Sequence, residues 1–172
     1  MSFREISPEE FDYSPFRLIG KDWLLITAPD VTKESGASAM TASWGGVGVL
    51  WNKHVATVYV RPQRYTYGLC ENTDRISLCV LPEEYRDTHK ILGRLSGRDM
   101  DKIAECSLSC SEIDGVKVIN QSKIAMICKK MYADDLKKER FIDTNQHKHY
   151  PIDDFHRFYI LEIEKILVKD CI

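Results

Sequence analysis

The chain has 172 residues, 44% of them hydrophobic and 29% charged, with a formal net charge of −2. That length suits one domain around a single core, and the composition is ordinary for a soluble globular protein. So small a charge gives no electrostatic reason to bind nucleic acid or an anionic membrane, and no apolar run approaches a membrane span.

Residues 1–20 read as an N-terminal arm punctuated by Pro8, Pro15 and Gly20, with Phe11, Tyr13 and Phe16 packing it onto the body or onto a partner subunit. The start carries acids early and lacks an apolar signal core, so a cytoplasmic location is expected. Residues 23–28 form a continuous apolar run bounded by Asp22 and Pro29, which predicts a buried strand. A polar loop with Gly36 follows over 30–38. Residues 38–44 and 47–51 then read as paired strands, with Gly45-Gly46 placed for a hairpin or bulge.

Asn52-Lys53-His54 makes the next turn. Residues 55–61 alternate, so that Ala56, Val58 and Val60 share a core face, while Val55, Thr57, Tyr59 and Arg61 share a face suited to a ligand. Pro62 halts this strand, and 65–72 reads as a short helix whose free N–H groups could face an anion. A strand over 75–81 and a helix over 82–95 follow, the latter with Pro82 at its start and His89, Lys90 and Arg94 near its end. Asp99 is the expected cap of a helical stretch over 100–106. Beyond it come a hairpin opened by Gly115, a long strand over 122–132, another over 138–143, a polar loop at 147–151 and a closing strand over 158–169. This count of short strands suits a small barrel with helices covering its ends.

Six cysteines (Cys70, Cys79, Cys106, Cys110, Cys128, Cys171) are scattered and expected as free thiols. Cys106 and Cys110 with His147 and His149 invite a zinc reading, but their spacing is looser than a CxxC knuckle, and no metal site is expected. P-loop, GxGxxG and GxSxG patterns are absent; Gly45-Gly46-Val47-Gly48 lacks the dinucleotide spacing.

The informative stretch is Met40-Thr41-Ala42-Ser43-Trp44 and the glycines after it, small and hydroxyl-rich, so that something bulky can lie against the backbone. It is followed by a strand delivering Arg61, Arg64 and Thr66 into a turn. A small-residue ledge beside phosphate-binding groups suggests a nucleotide-like cofactor. A planar ring could lie along 40–43 with Trp44 near one edge. Thr57 and Tyr59 could meet a polyol chain. Arg64 and Thr66, with Arg61, Ser96 or Lys102, could hold a phosphate.

These residues resemble the flavin reductase-like family. The likeness runs from Asp22-Trp23-Leu24-Leu25-Ile26-Thr27-Ala28 through Met40-Thr41-Ala42-Ser43-Trp44-Gly45 and Arg61-Pro62-Gln63-Arg64-Tyr65-Thr66. It continues over 93–102 and ends over 156–163, covering most of the chain in family order. The resemblance implies a mainly β fold with short helices, an FMN-binding split β-barrel of Greek-key type spanning 1–172. It implies FMN held without a covalent bond near a homodimer interface. Thr41, Ala42, Ser43 and Trp44 would neighbour the ring, and Arg64, Thr66 and Tyr67 the phosphate. His156, as a catalytic residue, would stand near the flavin or the approach of the nicotinamide.

The implied activity is an oxidoreductase passing electrons from NADH or NADPH through FMN to a flavin, oxygen, a ferric complex or a redox protein. Alternatives are a non-enzymatic FMN-carrying electron-transfer protein of the flavoredoxin kind, or a split barrel that binds haem, pyridoxal phosphate or nothing.

Overall fold

The computed structural model describes residues 2–169, so Cys171 lies outside the described residues. Ten strands form: β1 (Arg4–Ile6), β2 (Leu24–Pro29), β3 (Ala37–Ala42), β4 (Gly45–Leu50), β5 (Lys53–Val60), β6 (Arg75–Val80), β7 (Cys110–Ile113), β8 (Val116–Ile119), β9 (Ile124–Asp135) and β10 (Arg157–Val168). Short helical pieces intervene: α1 (Pro15–Arg17), α2 (Tyr65–Glu71), α3 (Thr88–Arg94) and α4 (Lys102–Glu105). An eight-stranded antiparallel sheet runs β3-β2-β6-β9-β10-β5-β4, with β1 added beside β10. The β7–β8 hairpin forms a separate two-stranded sheet packed on the main one, and it turns at Asp114-Gly115, as the glycine predicts.

The sheet curls into a split barrel because its strands bury one shared face. Leu24, Ile26, Met40, Val58, Leu78, Met126 and Leu161 meet in a single apolar cluster. A second cluster covers the opposite face of β2, β6 and β9, where Leu25, Cys79 and Ile127 pack against Leu92, Ile103 and Val118. Burial on both faces explains why residues 24–28 read as an unbroken apolar run. On β5 the alternation holds from Ala56 onward: Ala56, Val58 and Val60 are buried, and Thr57 and Tyr59 are partly exposed, whereas Val55, expected on the ligand face, is buried as well.

Several expectations are corrected. The strands flanking Ser43 and Trp44 do not pair with each other. Instead β3 pairs with β2, and β4 pairs with β5, so the two-residue link carries the chain from one edge of the sheet to the other. Gly45 makes this possible, since a Cβ there would stand 2.4 Å from the Thr57 carbonyl oxygen. The tight turn before β5 is Trp51-Asn52, both with positive φ, and Lys53 and His54 already belong to the strand.

The expected single helix over 82–95 breaks into a 3₁₀ turn, Glu83–Tyr85, and α3. Between them Arg86 stacks on Trp23, 3.8 Å from the ring centroid, and donates to the Lys21 carbonyl, which ties the chain to the entry of β2. The cap of α4 is Asp101, not Asp99: its carboxylate accepts from the N–H groups of Ile103 and Ala104. Residues 138–143 form no strand. A 3₁₀ turn occupies Lys138–Arg140, and Phe141 turns inward onto His147, Tyr150 and Phe155. In the arm Phe11 and Tyr13 pack on the barrel, whereas Phe16 is 90% exposed.

Candidate functional site

The break between β3 and β4 leaves a cleft at the seam of the barrel. A cavity of about 170 Å³ there is lined by Met40, Thr41, Ala42, Ser43, Trp44, Tyr59, Arg61, Arg64 and His156. The end of β3 supplies its small-residue floor. Thr41 Oγ1 is held from behind by α3, 3.1 Å from His89 Nδ1 and donating to the His89 carbonyl at 3.3 Å. His89 is 4% exposed and sets its ring edge-on to Trp23. Burial, with Arg86 nearby, pushes its pKa down to about 4, so the imidazole is neutral at pH 7.

A second cavity of about 300 Å³ shares Arg61 and Arg64 with the first. It is also lined by Gln63, Tyr65, Thr66, Arg94, Leu95, Ser96, Gly97, Arg98 and Lys102. No lining residue is acidic. Arg64 donates to the carbonyls of Gly93 at 2.5 Å and Leu92 at 3.3 Å, and Lys102 Nζ reaches the Leu92 carbonyl at 2.9 Å. The C-terminal carbonyls of α3 thus gather one half-buried and one buried cation. Burial, with Arg61 nearby, lowers the pKa of Arg64. Burial and the Arg64 charge bring Lys102 down to about 8. A carboxylate-free cluster of half-desolvated cations has the chemistry to hold an anion.

The wall opposite the floor is aromatic. His156, 7% exposed, lies 5.0 Å between centroids from Trp44 and hydrogen-bonds through Nδ1 to the Tyr150 hydroxyl at 2.9 Å. Burial first, then the Arg61 charge, pushes its pKa down to about 4, so it too is neutral at pH 7. Arg61 is already committed: it pairs with Asp154, donates to the His149 carbonyl at 2.8 Å and lies 5.1 Å from the Tyr150 ring centroid. Gln63 also donates to Asp154. The loop between β9 and β10 is thereby fastened across the seam, with Trp44 left 42% exposed at the rim.

The expected site residues therefore fall into two groups. Met40, Thr41, Ala42, Ser43, Trp44, Tyr59, Arg61, Arg64, Thr66, Ser96, Lys102 and His156 line the two adjoining cavities. Thr57 and Tyr67 line neither: Thr57 pairs with Gly46 and Ile160 within the sheet, and Tyr67 packs on the barrel core beneath Arg157. Sequence reasoning missed His89, Tyr150 and Asp154, all brought in from other elements. The only sequence signal for Tyr150 was a polar loop that carries one aromatic residue.

The fold and cleft define an antiparallel split barrel with a cluster of cationic side chains beside its seam. The chain belongs to the flavin reductase-like family: residues 16–171 match the flavin reductase like domain. No protein of curated function matches it by sequence. Among solved structures it is similar to an FMN-binding domain of a flavin reductases-like enzyme from Shewanella baltica OS155, at 14% identity and TM-score 0.67, covering 96% of this chain and 76% of that one. It is similar to flavoredoxin of Desulfovibrio vulgaris (Miyazaki F), at 15% identity and TM-score 0.66, covering 96% and 78%. It is also similar to nitrilotriacetate monooxygenase component B from Bacillus cereus, at 14% identity and TM-score 0.67, covering 96% and 81%. Likeness at this identity establishes the shared fold.

Proposed function

We propose that this protein is an FMN-dependent oxidoreductase that takes electrons from NADH or NADPH and passes them to a flavin, oxygen, a ferric complex or a redox protein. The observation that carries the reading is the junction of the two cavities. A small-residue ledge with an aromatic wall opens into a cation cluster, which matches a flat ring joined to an anionic tail. Flavin supplies the hydride and electron chemistry when bound, and the protein supplies placement and electrostatics.

In this reading the chain from Met40 to Ser43 is the bed of the ring, and the hydroxyl of Thr41 is fixed by His89 before any ligand arrives. Arg64, Lys102 and Thr66 hold the phosphate, and Ser96 stands beside them. Arg61, spent on Asp154, shapes the boundary between ring and tail rather than gripping the phosphate. His156 offers a neutral hydrogen-bonding edge next to the ring, its direction set by Tyr150. The half-exposed Trp44 leaves one side of the cleft open to a second reactant. Exposed Val49 and Trp51 at the edge of β4 support a homodimer with the seam near its interface. A cytoplasmic location belongs to the same proposal.

The test is the visible spectrum of the purified protein under anaerobic conditions, before and after NADH or NADPH. A yellow protein that bleaches rapidly supports the oxidoreductase. Bleaching only by dithionite or a protein donor would make it an electron carrier. A colourless protein that takes up no FMN from an excess would end both readings, and a Soret band would point to haem.

A further inference from the structure

The cation cavity carries more positive charge than one phosphate monoester needs. Its lining holds five cationic side chains and no carboxylate. Arg61 is neutralised by Asp154, and Arg64 and Lys102 are drawn inward onto the α3 carbonyls. The remaining two stand at the mouth and are unlike the inner pair. Arg98 is exposed, donates to the Gln63 carbonyl at 3.2 Å and lies 5.7 Å from the Tyr65 ring centroid. Arg94 is exposed and, among the described residues, has no hydrogen-bond or ion-pair partner.

A phosphate monoester carries about −1.5 to −2 at neutral pH, which the inner Arg64 and Lys102 suffice to balance. The outer arginines are not needed for that balance, although Arg94 also stands in the last turn of α3. Two planar forks at the rim of a cavity whose inner cations suit one anion are suited to a second phosphoryl group, because an arginine fork matches two phosphate oxygens at once. Gly97 keeps the approach to the rim narrow and fixed: a Cβ there would stand 2.4 Å from the Tyr65 ring and 2.9 Å from Ser38 Oγ. That contact pins the turn bearing Arg98 against the body.

We propose that Arg94 and Arg98 form an outer phosphoryl-binding subsite at the mouth of the tail cavity, so that the cleft accepts two phosphoryl groups in succession. The proposal rests on the flavin reading of the inner cavity, but the chemistry it names is that of a diphosphate. Two sources share this chemistry: the second phosphate of a dinucleotide flavin, or the phosphate of a separate nicotinamide dinucleotide.

The experiment compares inorganic phosphate with inorganic pyrophosphate by calorimetry on the flavin-free full chain, wild type and Arg94→Gln/Arg98→Gln. The wild type should bind pyrophosphate at least about ten-fold more tightly than phosphate, and the double variant should lose that preference while binding phosphate as before. Equal affinity of the wild type for the two anions would overturn the subsite. So would a variant that loses phosphate and pyrophosphate alike, since the arginines would then belong to a single-phosphate grip. Circular dichroism of the variant guards against a folding defect, and Arg94→Lys/Arg98→Lys should restore part of the preference.

The source is then read from flavin titrations and bleaching. If FAD is the source, the double variant weakens FAD about ten-fold and FMN less than two-fold. If a separate dinucleotide is the source, both flavins bind unchanged and bleaching by NADH and by NADPH slows alike, since both carry the diphosphate. Failure to bind any flavin, riboflavin included, would reject the inner-cavity reading without touching the pyrophosphate result.

Discussion

At the scale of single residues, Arg64 carries the most. Its guanidinium lies between a floor of small residues and a buried lysine, with both Nη atoms fixed on the α3 carbonyls. Replacing it with alanine removes a charged hydrogen-bond donor, an interaction of about 1.5–3 kcal/mol. Arg64→Ala should therefore weaken FMN binding by roughly ten- to hundred-fold in a fluorescence titration. Riboflavin, which has no phosphate, should lose much less. If both ligands weaken equally, Arg64 acts on the fold and not on the tail. Arg61 shows why residue type alone misleads: it reads as a phosphate ligand in sequence, yet Asp154 claims its charge.

At the scale of elements, α4 and the β2–β3 loop are joined through one carboxylate. Asp101 caps α4 and accepts at 2.9 Å from both the backbone N–H and the hydroxyl of Ser35. Burial raises its pKa, but the hydrogen bonds from Ser35, Ala104 and Ile103 outweigh that and hold the carboxyl below its usual value. The cap is what presents Lys102 to the α3 carbonyls. Asp101→Ala should destabilise the fold by about 0.5–2 kcal/mol, the usual range for a lost N-cap. Asp101→Asn, which keeps the cap, should cost less. Urea unfolding distinguishes them, and equal losses would mean that charge, not capping, is what Asp101 provides.

At the scale of the whole molecule, two buried histidines make stability depend on pH. His89 and His156 titrate at about 4 in the folded state, against an ordinary value of about 6.5. Between those values the unfolded chain binds protons that the folded chain refuses, so acid favours unfolding there. Stability should be fully present above about pH 6.5 and fall as the pH drops toward 4. The His89→Gln variant should show a shallower decline in thermal unfolding midpoints over that window. A midpoint that stays flat from pH 7 to 4.5 in the wild type would mean that neither imidazole resists protonation. Asp22 acts below that window: bonded to Lys123 at 2.8 Å and to Tyr13, it has a carboxyl pKa lowered from 3.8 despite its burial, so its contribution is lost only as the pH falls further.

The sequence by itself determined most of the central strands, because alternation on β5 and the doubly buried run on β2 are local patterns imposed by burial on one face or two, but it missed β1 and placed a strand over 138–143 where none forms. It also determined that small residues precede a pair of arginines, and this was enough to outline the cleft. It could not decide where β4 pairs. Two strands joined by Ser43-Trp44 look like a hairpin in one dimension, and only closure of the sheet places them on opposite edges. Nor could it place His89, Tyr150 or Asp154, which reach the cleft from α3 and the β9–β10 loop. Contacts at long sequence separation leave no periodic trace in the chain, so the partners of each charge, and hence which arginines remain free for an anion, were settled by the tertiary structure.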